Sequence, residues 1–202
     1  MYPLLSKFKV RRRLLGALSV APALCSSLVR SADNATDLRP THPCVDEHDL
    51  TPRQMEGPYF KPRSPQRVSL IEPQLKGTPV LLSGLVLSTS CKPVAGVLLD
   101  FWQCDGEGNY DITGNRLRGH QYTDGAGRYR LQTVVPGVYP GRTRHIHVKV
   151  QAPDRPVLTT QLYFPGEPHN GEDFLFTPDL LVALKDAGES RVARFDFVVR
   201  LG

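Results

Sequence analysis

Four side chains in the middle of the 202-residue chain are of types that bind metal ions. His145 and His147 lie two residues apart in "RHIHVKV", and Tyr110 and Tyr139 precede them. Successive side chains of a strand point to opposite faces, so a strand would place both imidazoles on one face. Two imidazoles on one face can bind one metal ion. The pair alone is equally compatible with solvated or hydrogen-bonded histidines.

The two tyrosines lie in loops. Tyr110 ends "WQCDGEGNY", just past a predicted strand, and Tyr139 lies in "VVPGVYPGR" between glycines and prolines. Glycine and proline fix the backbone on each side of the phenol. A loop tyrosine usually packs or bonds to the backbone, but two of them near a His-x-His strand favour a shared chemical role.

The donor set indicates which metal would bind. Phenolate is a hard, strongly donating anion that suits a hard, highly charged cation, and tyrosinate binds ferric iron in some haem proteins. Zinc more commonly takes cysteine, histidine or carboxylate ligands. Ferrous oxygenases that bind iron through two histidines also need a carboxylate ligand. No Asp or Glu lies at a matching place in the histidine strand. Two phenolates and two imidazoles therefore favour Fe(III).

The order of these residues, with Arg142 three positions before the first histidine, resembles the intradiol ring-cleavage dioxygenases. That family includes protocatechuate 3,4-dioxygenase and catechol 1,2-dioxygenase. The size of the chain looks more like the protocatechuate branch and its small exported relatives. The resemblance covers most of residues 51 to 201 and rests on the blocks "EGPYF", "GVLLDFWQCDGEGNY", "RGHQYTDGAGRYRLQTVVPGVYPGRTRHIHVKV", "TTQLYFPGE" and "FDFVV".

The resemblance implies a ligand set, a cofactor and a reaction. All four donors would bind Fe(3+), and Tyr139 would also leave the metal and act as a base. The substrates would be a small aromatic diol and O2, and the product a muconate-type diacid cleaved between the two hydroxylated carbons. Arg142 would stabilise developing charge, and Gln161 in "TTQLYF" would lie beside the substrate. The family spacing favours Arg142 over Arg144 for this role.

Simpler roles remain open for several residues. Gln161 could pair with backbone, and Arg142 could be a charge at the rim of the site. Tyr59 in "EGPYF" is assigned to packing. The other residues assigned no role in chemistry are the core candidates Phe101 and Trp102 and the surface or loop histidines His42, His48, His120 and His169.

These side chains need strands to position them. From residue 76 onward, short β-branched and aromatic runs alternate with breaks rich in Gly, Pro, Asp and Asn, which predicts an all-β antiparallel sandwich with long loops. One short C-terminal helix is predicted in "TPDLLVALKDAGE", with Thr177 as cap, Pro178 in the first turn and Gly188 as terminator. The predicted strands are "PVLLSGLVLS", "GVLLDFWQC", "RYRLQTVV", "RHIHVKVQA", "VLTTQLYF" and "RVARFDFVV".

The chain divides into three parts: residues 1–32, an arm with loops over residues 33–75, and a catalytic sandwich over residues 76–202. The first part has six basic and no acidic side chains, followed by a short apolar run, which predicts an export signal. Arg11-Arg12-Arg13-Leu14-Leu15 favours the twin-arginine route over a Sec signal or a basic tail. We expect a periplasmic or extracellular protein.

Charge and hydropathy exclude some partners. The formal charge is +5, but without residues 1–32 the chain has 19 basic and 20 acidic side chains, so a nucleic-acid partner is not expected. The apolar run of the signal is too short for a membrane span. A homo-oligomer is compatible with the sequence, which does not fix the oligomeric state.

Three cysteines follow the predicted signal. Cys91 and Cys104 flank a turn and a strand, and an exported protein meets oxidising conditions, so we expect these two to form a disulfide. The alternative is that both are small buried apolar residues. Cys44 is left without an assigned role.

Two other function classes compete with the dioxygenase. A sandwich could be a non-catalytic, transthyretin-like ligand-binding module, or an exported zinc hydrolase, because a fold alone does not decide function. Colour separates the three, since phenolate bound to Fe(III) absorbs visible light. Protocatechuate, catechol, hydroxyquinol and larger catechols all remain open as substrates.

Overall fold

The computed structural model describes residues 38–39, 44 and 49–201. These residues form nine strands in two sheets and two short 3-10 helices, Pro168–Gly171 and Pro178–Leu180. The strands are β1 Pro79–Ser88, β2 Leu98–Trp102, β3 Arg118–Tyr122, β4 Arg128–Val134, β5 His145–Gln151, β6 Leu158–Tyr163, β7 Ala183–Ala187, β8 Ser190–Arg194 and β9 Phe197–Val199.

The first sheet has the antiparallel order β3-β2-β5-β6. Trp102 lies opposite both Arg118 and His147, and His147 lies opposite Gln161. Side chains of directly opposed residues share one face of a sheet. Four strands therefore contribute one residue each to a row across that face, and we call Arg118, Trp102, His147 and Gln161 the cross-sheet row.

The opposite face of this sheet is core. Phe101 and Val148 are fully buried there and belong to one apolar cluster with Leu82 and Leu131 of the second sheet. Fully burying such a side chain contributes about 1.5–3 kcal/mol, so the packing of the two sheets is the main stabilising contact. The predicted all-β sandwich is confirmed.

The second sheet has the order β4-β1-β8-β7, with β9 also paired to β1. β1 runs antiparallel to β4 but parallel to β8 and β9, so this sheet is mixed rather than purely antiparallel. Parallel pairs need long crossover connections, and here the whole first sheet intervenes between β1 and β8.

The sequence predicts a single strand in "RVARFDFVV", which the structure divides into β8 and β9. The run breaks at Phe195 and Asp196, where the Asp196 carboxylate accepts a hydrogen bond of 2.9 Å from the Leu85 amide. The backbone of Phe195 comes so close to Gly84 of β1 that a Cβ there would overlap its carbonyl oxygen. Gly84 therefore allows β1 to change partner from β8 to β9.

The predicted C-terminal helix begins at the expected place but is much shorter. Pro178 opens a three-residue 3-10 helix, Thr177 makes no side-chain capping bond, and the chain then forms strand β7. Pairing with β8 outweighs the helix propensity of "ALKDA". Gly188, with φ of +68°, lies in the turn between β7 and β8 instead of ending a helix.

The segment before β1 crosses both sheets without a regular element of its own. Gln66 bridges to His120 of β3, and Ser69 bridges to Gln132 of β4. The buried Thr51 hydroxyl accepts a 2.8 Å bond from the Val198 amide. The proposed signal, residues 1–32, lies outside the described residues and stays a prediction.

The predicted disulfide was wrong. Cys91 pairs with Cys44, with Cα atoms 5.5 Å apart, whereas Cys104 is free and buried. Cys91 lies in the turn after β1, next to the incoming arm, but Cys104 follows β2 into the interior and its thiol contacts the Gly137 carbonyl. Burial raises the pKa of the Cys104 thiol to about 11.

In the part of the chain that the structure describes, no helix is long and apolar enough to cross a membrane.

Candidate metal centre

Strand β5 places His145 and His147 side by side on the face of the cross-sheet row. Their Nε2 atoms are 3.1 Å apart, and both residues are buried. The Nδ1 atom of His145 lies 2.7 Å from the Thr143 carbonyl, which can only accept. Nδ1 therefore carries the proton, and Nε2 of His145 presents its lone pair to the centre.

The imidazole of His147 is fixed mainly by packing. It stacks on Trp102 with 4.8 Å between ring centroids and 5° between planes. The "EGPYF" loop covers it, because a Cβ on Gly57 would lie 3.4 Å from Cε1 of His147. The Nδ1 atom is buried and has no partner among the described residues.

Tyr139 reaches the centre from a tight turn. Its hydroxyl is 3.4 Å from Nε2 of His145, and Nη1 of Arg142 donates to the same hydroxyl over 3.4 Å. The turn is closed by a 3.0 Å bond from the Arg142 amide to the Tyr139 carbonyl. Gly141 supplies the positive φ of +77° that this turn requires.

Tyr110 approaches from the loop after β2. Its ring stacks on Tyr59, with centroids 4.2 Å apart and planes at 14°, and meets Tyr139 edge-on at 5.8 Å. Its hydroxyl oxygen is buried without a hydrogen-bond partner in the described chain. Tyr59, assigned to packing from the sequence, is thus packing against a candidate ligand.

Burial sets the protonation states of the four donors. It lowers the pKa of His145 to about 4, helped by the charge of Arg142, and lowers the pKa of His147 well below its usual value. Both imidazoles are therefore neutral near pH 7. Burial also raises the pKa of Tyr110 and of Tyr139. A cation at their meeting point would favour the phenolates instead.

These residues fit a ferric ion. No group of three or more His, Cys, Asp and Glu residues that could hold a metal occurs among the described residues. A metal at this place would need the tyrosines. Two imidazole nitrogens facing each other at 3.1 Å, with a buried phenol oxygen lacking a partner among the described residues, match a cation bound between them.

Arg142 is held by a buried acid and an amide. Its Nε lies 2.9 and 3.1 Å from the two carboxylate oxygens of Asp173, and its Nη2 donates to Oε1 of Gln161. Burial alone would lower the pKa of Arg142, but the bond to Asp173 raises it above its usual value. The guanidinium is a fixed positive charge beside Tyr139.

Gln161 is oriented from both ends of its amide. Oε1 accepts from Arg142 and, over 3.0 Å, from the Tyr163 hydroxyl, while Nε2 donates to the Met55 carbonyl over 2.9 Å. Gln161 therefore does pair with backbone, and it also holds Arg142.

The structure brings together all the predicted site residues: Tyr110, Tyr139, Arg142, His145, His147 and Gln161. Arg144 turns away to Glu167, at 2.8 Å, and to the Pro136 carbonyl. His120 lies in β3 beside Ser64, away from the centre. His169 lies 3.0 Å from Glu172 and lines the cavity beside Tyr139 and Arg142, but is not among the converging donors. The sequence reasoning missed Asp173 and Tyr163, and treated Trp102 as core only.

A cavity of about 290 Å³ opens beside Tyr139 and Arg142, with Gly141 in its wall. A larger one, of about 530 Å³, adjoins Tyr110 but is otherwise lined by charged and amide side chains such as Arg67 and Glu72. Of these two cavities, the first is lined by both Tyr139 and Arg142, so it is the better entrance to the centre.

Comparison with known sequences places this chain in a family. A family model described as Dioxygenase matches residues 55–201. Catechol 1,2-dioxygenase of Pseudomonas sp. (strain EST1001) is 31% identical over 153 residues, which is 62% of this chain and 51% of that protein. The protocatechuate 3,4-dioxygenase beta chain of Burkholderia cepacia is 34% identical over 125 residues, 51% of this chain and 52% of that one. The chain thus spans about half the length of these curated relatives.

A solved structure agrees more closely. The dioxygenase domain of a dioxygenase carbohydrate-binding protein fusion from Streptomyces sp. SirexAA-E is 60% identical. The TM-score is 0.74, and the match covers 76% of this chain and 100% of that one.

Proposed function

The chain belongs to the intradiol ring-cleavage dioxygenase family, and on that premise we propose that it is an Fe(III)-dependent enzyme. It cleaves a catechol-type ring with O2, between the two hydroxylated carbons, to give a muconate-type diacid. The observation that carries this proposal is the convergence of two phenols and two imidazoles beside a fixed guanidinium.

The ligands are Tyr110, Tyr139, His145 and His147. Ferric iron bound by them supplies a Lewis acid that lowers the pKa of the substrate hydroxyls and makes the bound diol reactive toward O2. The neutral histidines hold the ion without cancelling its charge, and the two phenolates select ferric over ferrous iron.

Tyr139 takes a proton from the substrate. As a phenolate it accepts the proton of one substrate hydroxyl, leaving a neutral phenol and a substrate oxyanion. Its turn lines the cavity, and Nη1 of Arg142 already donates to its oxygen. Arg142 can therefore hold the displaced phenol while the diol enters.

Arg142 stabilises the negative charge that develops on the reacting diol. Preorganised donors act most strongly where water is excluded and no reorganisation is needed. The carboxylate of Asp173, which is 1% exposed, and the amide of Gln161 fix the guanidinium before substrate arrives.

The other side chains close the centre. Tyr59 covers the ring of Tyr110, and Gly57 and Trp102 cover His147 from two sides. They shield Tyr110 and His147 on these sides, and the cavity beside Tyr139 and Arg142 is the path we propose for the diol.

Iron content, colour and oxygen uptake test the proposal. The purified, iron-loaded protein should be reddish and should consume O2 with one or more of catechol, protocatechuate, hydroxyquinol and larger catechols. Mass spectrometry with ¹⁸O2 should find both oxygen atoms in the acyclic diacid. A colourless protein containing zinc or no metal, with no uptake on any of them, would support the hydrolase or the ligand-binding module.

Histidine variants identify the site. His145→Ala and His147→Ala should each lose iron on dialysis, because each removes a donor held by the strand. His169→Ala, which removes a half-exposed histidine that lines the cavity but is not a candidate ligand, is the control and should keep its iron.

A further inference from the structure

The "EGPYF" loop, residues 56–60, covers the metal centre without being part of a sheet. In the part of the chain that the structure describes, its residues make no backbone hydrogen bond to either sheet. The two ends are fixed, since the Met55 carbonyl accepts from Gln161 and the Lys61 ammonium donates to the Gly114 carbonyl over 2.6 Å. Between these ends, side chains must hold the loop in place.

The aromatic side chains of the loop pack on the residues of the centre. Tyr59 stacks on Tyr110, and Phe60 meets Trp102 edge-on with ring centroids 4.9 Å apart. Trp102 in turn stacks on His147. The position of the loop is therefore coupled to two of the four candidate ligands.

Lys149 of strand β5 holds the same loop. Its Nζ atom lies 2.5 Å from Oε2 of Glu56 and 3.3 Å from the ring centroid of Phe60. Lys149 comes two positions after His147 in the strand, so both side chains point to the face of the cross-sheet row. One ammonium thus contacts the first and the last residue of the loop, and the residues that cover the candidate ligands lie between them.

The surroundings of Lys149 distinguish this contact from an ordinary surface ion pair, which contributes little because water screens it. The side chain of Lys149 is 19% exposed, whereas that of Glu56 is 46% exposed. A cation over an aromatic face is held more strongly when it is shielded from water. The carboxylate and the ring together should therefore stabilise the closed position of the loop by more than the ion pair alone.

We propose that Lys149 is a positioning residue of the metal centre: it binds Glu56 and Phe60 and so holds the "EGPYF" loop over His147 and against Tyr110. The role at the metal rests on the proposed ferric centre. The contacts that carry it lie in the protein alone, so the closed position of the loop can be tested without iron.

The first test uses Trp102, the single tryptophan of the chain, in iron-free protein. Trp102 is buried and contacts Phe60, so its fluorescence should report when the loop opens. Acrylamide should quench it about two- to fivefold faster in Glu56→Gln, which loses the ion pair, and about tenfold faster in Lys149→Met, which also loses the ring contact. Lys149→Arg keeps both contacts and should stay within about twofold of the parent.

A double variant isolates the loop from other effects of the lysine. Lys149 also lies opposite Asp100, and the two charges act on each other. In the Lys149→Met background, Glu56→Gln should add little further quenching, because its partner is already absent. Glu189→Gln, exposed in the turn between β7 and β8 of the second sheet, is the matched control and should be quenched at the parent rate.

The second test measures release of iron from the loaded protein to excess EDTA. Opening of the loop uncovers Tyr110 and His147, so release should accelerate in the same order, about two- to fivefold in Glu56→Gln and about tenfold in Lys149→Met. The urea midpoints of the iron-free variants should stay close to that of the parent, because a loop can open without global unfolding.

The outcomes separate the two proposals. If Lys149→Met is quenched like the parent, or if Glu56→Gln adds the same increase in both backgrounds, Lys149 does not hold the loop and the proposed function stands. If quenching rises while iron release does not, or rises only with a matching drop in the urea midpoint, Lys149 does not position the centre. A parent that binds no iron would overturn the function and the role at the metal, and the quenching would still show whether Lys149 holds the loop.

Discussion

At the scale of the residue, two tyrosines of one centre have different surroundings. The hydroxyl of Tyr110 is buried and unpartnered beneath Tyr59, whereas that of Tyr139 contacts both His145 and Arg142 and lies beside a cavity. In the proposed mechanism, the first would stay on the metal. The second has a hydrogen-bond donor, Arg142, ready for the moment it would leave the metal.

Replacing either phenol should therefore have distinct effects. Tyr139→Phe should keep most of its iron but bind catechol more slowly under anaerobic conditions, on the order of 100-fold, because the substrate proton has lost its acceptor. Tyr110→Phe should mainly weaken iron binding and change the resting colour. Stopped-flow absorbance measures the binding rate. If iron-loaded Tyr139→Phe binds catechol as fast as the parent, Tyr139 is not the base.

Asp173 is expected to act through Arg142. Asp173→Asn removes the charge that fixes the guanidinium, and a misplaced catalytic group can cost on the order of 100-fold in rate. The loss should appear in kcat more than in KM, with iron content unchanged. Asp186→Asn is the control, since Asp186 is exposed and pairs only with Arg191 in the described chain. Equal kcat in the two variants would contradict the role.

The histidines predict how the stability of iron-free protein depends on pH. The folded pKa of His145 is about 4, below its ordinary value of 6.5, so the unfolded chain binds more protons between these values. Stability should be fully present above pH 6.5 and should be lost as the pH falls toward 4. Urea unfolding at a series of pH values measures this. His145→Gln should flatten the dependence, and an unchanged slope would contradict the burial argument.

Residue types and order predicted four candidate donors that the structure brings together. They did not predict the side chains that orient those donors. Asp173 lies 31 positions from Arg142, and nothing in its local sequence marks it as a partner. Trp102 stacks on His147 only because strand register places the two residues opposite each other. Contacts of this kind depend on which strands become neighbours, and no spacing rule gives that.

At the scale of the element, strands with β-branched alternation were predictable and the others were not. "RGHQY" of β3 has a glycine and polar side chains, and it is a strand because β2 pairs with it. "ALKDA" of β7 has helix-forming residues, but as an edge strand it pairs with β8. Gly188 is compatible with both a helix end and a hairpin turn. Its presence therefore could not show whether the residues before it form a helix or a strand.

The close contact between β1 and the β8–β9 break predicts a sensitive position. Gly84→Ala would push a methyl group against the backbone of Phe195, which cannot move without disturbing three strands. We expect a loss of about 1–3 kcal/mol or more in the free energy of unfolding. Gly125→Ala, whose added methyl would meet nothing within 4 Å, should change it by less than about 0.5 kcal/mol. Urea denaturation measures the free energy of unfolding of both variants. If Gly84→Ala is as stable as Gly125→Ala, β1 can shift to make room for the methyl group.

At the scale of the whole molecule, the Cys44–Cys91 disulfide joins the arm to the turn after β1. Nearby, Nη1 of Arg194 donates to the Leu38 carbonyl over 3.2 Å. The pairing could not be read from cysteine spacing, because Cys44 lies in a segment with no pattern that places it next to Cys91.

That disulfide should stabilise the fold substantially. For the printed separation of 47 residues, loop closure gives about 4 kcal/mol as an upper expectation. The variant Cys44→Ala/Cys91→Ala should unfold at lower urea, and a reductant should no longer affect it. Cys104→Ala keeps the disulfide, so its stability should still fall on reduction. A parent whose stability does not respond to reductant would show that the bond contributes little.

The cross-sheet row has a consequence for the order of events as the protein matures. Its four members come from two strand pairs, β2 with β3 and β5 with β6, which are joined where β2 pairs with β5, and the two tyrosines reach the same point from separate loops. All four candidate ligands lie within residues 110–147, but a one-residue slip between β2 and β5 would turn Trp102 away from His147. We therefore expect the proposed centre to be complete only after β2 and β5 have paired, so that iron would be bound by a sheet that has already closed.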